Sequence, residues 1–60
     1  MVGNENSFVV VVIDNQGEVH MRAQWECEGN VRHEAAREVA RLIEELGTTD
    51  VEIEVRFLRA

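Results

Sequence analysis

The segment FVVVVI, Phe8 to Ile13, constrains the fold of this chain more than any other stretch. β-Branched side chains are stiff in a helix and pack well on a pleated surface, so the run predicts a strand. It is apolar at every position and has no side to turn to water. That predicts the centre of a sheet, with a neighbour on each edge. The run is far too short to cross a bilayer, which takes about 20 residues in a helix. No basic segment precedes it, and no secretion signal is read in Met1 to Ser7.

The sequence DNQG follows. Asp at the first position and Gly at the fourth suit a type I turn closed by a left-handed glycine, which makes a hairpin with loop residues Asn15, Gln16 and Gly17. From Glu18 to Cys27 the chain alternates. Val19, Met21, Ala23, Trp25 and Cys27 fall on one side, and His20, Arg22, Gln24 and Glu26 on the other, as in a half-buried strand. Asn30 is a good helix N-cap, and Val31, Ala35, Ala36, Val39, Ala40, Leu42, Ile43 and Leu46 recur at helical spacing up to a Gly47 stop. Val51, Ile53, Val55 and Phe57 then alternate with Glu52, Glu54, Arg56 and Leu58, giving a third strand.

The expected architecture is therefore a single α+β domain over residues 1–60, with the polar start, residues 1–7, as a loose tail. Its element order is ββαβ, and the sheet is three-stranded in the order 2-1-3 with one helix packed on one face. The crossover from strand 2 through the helix to strand 3 should be right-handed and leave those two strands parallel. The hairpin places Ile13 opposite Val19, Val11 opposite Met21 and Val9 opposite Ala23. A two-residue turn at Gln16 and Gly17 would reverse the faces, but Gln is a poor first residue for it, so these residues are expected to share the core face with Trp25 and Cys27, with Trp25 as the main core aromatic. Phe8, Val10 and Val12 would then form an uncovered apolar stripe between His20, Arg22 and Gln24 on one edge and Glu52, Glu54, Arg56 and Leu58 on the other. Such a stripe is either covered by the tail and by long neighbouring side chains or is a contact for a partner or a second copy.

Charge narrows the function classes. Six Arg, no Lys and twelve acidic residues give a net charge of −6, which disfavours direct contact with nucleic acid or anionic membranes and favours a basic protein surface. The expected topology gathers Asp14, Glu18, Glu44, Glu45, Asp50, Glu52 and Glu54 at one pole, with Arg41 as the nearest cation. Glu44 and Glu45 stand in the last helical turn, where the helix dipole favours cations. An acidic surface often serves solubility alone. Here it is placed where it opposes the dipole and repels itself, so a docking role is the sharper expectation.

Other chemistry is weakly supported. Cys27 is the single cysteine, so no internal disulfide can form and a reducing cytoplasm is expected. Cys27 and His33 do not make a zinc site, and as a nucleophile and base they lack an orienting third group and an oxyanion hole. Asp14, Asn15 and Glu18 offer oxygen ligands without the full EF-hand spacing. Glu34, Arg37, Glu38 and Arg41 form an ordinary exposed ladder of opposite charges. No catalytic or cofactor motif is present, and a non-enzymatic protein with no cofactor is expected.

In size, charge and the set Glu44, Glu45, Asp50, Glu52 and Glu54, the chain resembles the small acidic inhibitors of phages and mobile elements, among them the DNA-mimicking anti-CRISPR proteins. These share neither a motif nor a fold. The resemblance implies an inhibitor that binds the DNA-binding subunit of a CRISPR effector in the host cytoplasm and blocks target recognition. Two alternatives stay open: a structural or designed α/β module that self-associates weakly through its outer sheet face, and a divalent-metal-binding regulator.

Overall fold

The computed structural model describes residues 5–59. Its elements are β1 (Glu5–Ile13), β2 (Val19–Gln24), α1 (Val31–Leu46) and β3 (Glu52–Arg59). They form the expected ββαβ arrangement with the sheet order β2-β1-β3. Both edge strands run antiparallel to β1, which leaves them parallel to each other.

The hairpin is as the turn residues dictate. Gly17 adopts φ 83°, a left-handed value that a β-carbon would make costly, and its amide donates to the Asp14 carbonyl at 3.0 Å. The Asp14 amide donates to the Glu18 carbonyl at 2.9 Å. Ile13 pairs with Val19, Val11 with Met21 and Val9 with Ala23. The helix also keeps its expected ends. The Asn30 side chain accepts the amides of Arg32 and His33, and Gly47 stands in the left-handed region with its amide on the Ile43 carbonyl.

Three expectations are corrected. Glu5, Asn6 and Ser7 belong to β1 rather than to a loose tail, while residues 1–4 lie outside the described part of the chain. Glu5 pairs with Arg59 and Ser7 with Leu58, so the tail is recruited as strand with an irregularity between them. At the other end of the hairpin, β2 stops at Gln24 instead of reaching Cys27. Glu26 takes φ 56°, which breaks the alternation, and the Cys27 amide turns to the Asn6 carbonyl. Cys27 thereby packs against the core as expected of it, but Trp25 is left 62% exposed and is not the core aromatic.

The third correction concerns which side of the sheet the helix covers. Phe8, Val10 and Val12 are fully buried, Val31, Ala35 and Leu42 of α1 are buried with them, and Val55 and Phe57 of β3 pack against this cluster. They are the core and not an exposed stripe. β1 is apolar on both sides, so its neighbours decide. In the observed register Phe57 lies opposite Phe8, Val55 opposite Val10 and Ile53 opposite Val12. The other side of β1 is shared with Glu54 and Arg56, which lie opposite Val11 and Val9. A helix on that side would have to cover charged side chains. Burying a large apolar side chain contributes about 1.5–3 kcal/mol, whereas burying an unpaired charge costs more than it returns.

Each face of the sheet is consequently apolar on two strands and polar on the third. The covered face joins Phe8, Val10 and Val12 to the apolar row of β3, with His20, Arg22 and Gln24 on the β2 edge. The open face joins Val9, Val11 and Ile13 to Val19, Met21 and Ala23, with Glu52, Glu54, Arg56 and Leu58 on the β3 edge.

Candidate functional site

Two connections meet at the end of the sheet that carries the acid. Asp14 opens the hairpin turn, and its Oδ1 accepts the backbone amides of Gln16 at 2.8 Å and Glu18 at 2.9 Å. Its Oδ2 lies 3.0 Å from His20 Nε2. The hydrogen bond from His20 and then the backbone amides hold the Asp14 carboxyl below the usual carboxylate range. The second connection leads from α1 to β3. There the Asp50 amide donates to Thr48 Oγ1 at 3.1 Å and the Val51 amide to the Thr49 carbonyl at 3.0 Å, which fixes the chain as it enters β3.

The two connections flank a shallow cleft lined by Ile13, Asp14, Asn15, Asp50, Val51 and Glu52. Asp14, Asp50 and Glu52 are thus brought together from segments more than 35 residues apart in the chain. A neighbouring depression lined by Val11, Ile13, Glu52, Ile53 and Glu54 continues the acidic border along the open face. Glu44 and Glu45 are exposed in the last turn of α1, which holds no basic residue.

Part of this acid is neutralised by cations that the sequence reading placed elsewhere. Glu45 Oε1 accepts from Arg22 Nη2 at 3.2 Å, across from β2 to the helix. Arg41, expected to be the nearest cation, is instead taken up by Glu38 at 2.9 Å within the helix. Glu54 accepts from Arg56 at 3.1 Å, one step along the same face of β3. Among the described residues, Glu18, Glu44, Asp50 and Glu52 have no ion-pair partner. Arg22 lies on the helix side of β2 and not on the outer face, which brings its guanidinium within reach of Glu45.

The sequence reading also missed the grouping of Asp14, Glu18 and His20, whose ligand atoms all lie within 4.8 Å of one another. The hairpin register contains the signal, because pairing His20 with Val12 sets it beside the turn. Both Asp14 oxygens are already occupied by hydrogen bonds that close the turn, so a cation would compete with the hairpin. The expected stripe Phe8, Val10 and Val12 is inaccessible to any partner. The exposed apolar residues are instead Val19 at 60%, Met21 at 61% and Trp25 at 62%, with Ile53 at 46% on the opposite side of β3.

At the other end of the molecule Arg32 donates to Glu5 at 2.9 Å and lies 4.2 Å from the centre of the Phe57 ring. Among the described residues no helix is long and apolar enough to cross a membrane. No family model, curated protein or solved structure matches the chain.

Proposed function

We propose that this chain is a non-enzymatic acidic binding protein that acts by occupancy, seating its acidic pole in the nucleic-acid-binding groove of a basic partner protein. The observation that carries the reading is the cleft shared by Asp14, Asp50 and Glu52, with the unpaired Glu18 and Glu44 close in the fold's acidic end. Carboxylates held at fixed positions by a hairpin and a strand entry present repeated negative charge to Arg and Lys, as a phosphate backbone does. The finer reading is an inhibitor of the anti-CRISPR type, working in the cytoplasm of the cell that holds its target and needing no cofactor.

The pairing of Glu45 with Arg22 and Glu54 with Arg56 makes Glu18, Glu44, Asp50 and Glu52 the carboxylates most available to a partner. Displacement of a labelled DNA duplex from a panel of basic DNA-binding proteins, CRISPR effector subunits included, tests the proposal. Wild type should displace the duplex, with an affinity that falls at least about tenfold between low and moderate salt. A variant carrying Asp50→Lys and Glu52→Lys should lose the effect while keeping its helical and strand signal. No displacement across the panel, or displacement indifferent to salt, would rule the reading out.

A divalent-cation regulator is the second reading, favoured by the closeness of Asp14, Glu18 and His20. Titration with calcium and zinc, watched by hairpin chemical shifts, distinguishes it: saturable shifts at Glu18 and His20 support it, and unchanged spectra exclude it.

A further inference from the structure

The open face of the sheet is an apolar surface with a polar border on one side only, and the order of its residues is self-complementary. Three rows run along it. On β1 stand Val9, Val11 and Ile13; on β2 stand Val19, Met21 and Ala23, with Trp25 one step beyond the strand; on β3 stand Glu52, Glu54, Arg56 and Leu58. A shallow groove lined by Val9, Val11, Met21, Glu54, Arg56 and Leu58 marks its middle. Glu54 and Arg56 sit at adjacent levels of the same row, 60% and 72% exposed, and bond only to each other.

We propose that this face is closed by a second copy of the chain, packed sheet on sheet about a twofold axis perpendicular to the strands and passing between the levels of Val9 and Val11. A twofold contact must be complementary to itself, because each residue meets its counterpart's neighbour in both directions. With this axis each strand lies over the same strand of the second copy. Glu54 then meets Arg56 of the second copy, and Arg56 meets its Glu54. Met21 faces Ala23, a large residue against a small one, and Val9 faces Val11. A twofold along the strands would instead set the apolar row of β2 over Glu54 and Arg56, taking that ion pair from water without adding a second pair beside it. The order of Glu54 and Arg56 therefore favours the perpendicular axis, which leaves Glu52 opposite Leu58 at the border of the layer.

Area fits a reversible pair. Three strands about 4.8 Å apart and eight residues at about 3.4 Å rise outline roughly 400 Å² per copy. Two copies thus bury about 800 Å², below the roughly 1,200 Å² of stable specific interfaces and in the range of weak, transient ones, which predicts association that depends on concentration. Asp14 and Asp50 lie beyond the layer, whereas Ile13 and Glu52 border both it and the acidic cleft, so the pairing leaves the Asp14 and Asp50 side of that pole open to the binding proposed for it.

Sedimentation equilibrium over about 5 µM to 1 mM tests the proposal, a range that brackets the weak affinities expected of so small an interface. Wild type should pass from monomer to dimer. Glu54→Arg sets like charges face to face and should weaken the dimer at least about tenfold. Adding Arg56→Glu to that variant rebuilds the pairs with reversed sign and should return the dimer constant to within about threefold of wild type. Met21→Lys should be monomeric with an unchanged circular dichroism spectrum. A wild-type chain that stays monomeric at about 1 mM overturns the proposal, as does an oligomer larger than two or a Glu54→Arg chain that dimerises unchanged. Failure of the charge swap to restore association, with the single variant weakened and folded, overturns the perpendicular axis.

Discussion

Asp14 holds the hairpin at three points, through the amides of Gln16 and Glu18 and the ring of His20. Because the folded chain holds its proton less tightly than the unfolded chain does, ionised Asp14 favours the fold above the ordinary aspartate range near pH 4. The contribution disappears as pH falls through the lowered folded value. Asp14→Ala should therefore lower the urea midpoint at neutral pH, and the gap to wild type should narrow as pH falls below the ordinary aspartate range and through the lowered folded value. A gap that persists there would assign the effect to something other than the carboxylate. The turn was legible because the spacing of Asp14 and Gly17 is local chemistry. The His20 bond was not, since it depends on the side of β2 that faces the helix.

At the scale of the elements, α1 is defined at both ends by its own residues and covered on one side by β1 and β3. Its last turn is where sequence and structure most directly contradict the preference of a helix for cations. Glu44→Lys should raise stability by about 0.3–1 kcal/mol, read from denaturation, while weakening any binding to a basic partner. A loss of stability would show that Glu44 has a structural partner after all. On the sheet the two faces of β1 should respond very differently. Phe8→Ala removes a fully buried ring and should cost about 3–5 kcal/mol, comparable with the whole stability of a 60-residue domain. Met21→Ala, on the open face, should cost less than about 0.5 kcal/mol in dilute solution.

The whole molecule carries its net charge of −6 unevenly. At one end Arg32 pairs with Glu5, and Arg59 lies at the same end as the unpaired Glu26, Glu28 and Glu34, whereas at the other Glu18, Glu44, Asp50 and Glu52 stand without an ion-pair partner among the described residues. Such a distribution repels itself, and raising salt from about 20 to 300 mM should increase the thermal midpoint because the screening length drops from roughly 20 to 6 Å. The Asp50→Lys, Glu52→Lys chain should show a smaller rise. An equal rise in both chains would locate the repulsion elsewhere.

What the sequence by itself determined is what short spacing controls, namely the strand character of Phe8 to Ile13, the turn at Gly17, the hairpin register and both helix caps, together with the order β2-β1-β3, which follows from β1 being apolar on both sides. It also placed Asp14, Asp50 and Glu52 at one end. Only the tertiary structure decided which side of the sheet the helix covers, and with it the burial of Phe8, Val10 and Val12 and the exposure of Met21. The physical reason is that no turn joins β1 to β3. Their register is set by packing across the whole chain, and because side chains alternate with period two, a one-residue shift exchanges every side chain between core and surface. The left-handed Glu26 did the same for Trp25 locally, ending β2 early and leaving the chain's single tryptophan in water.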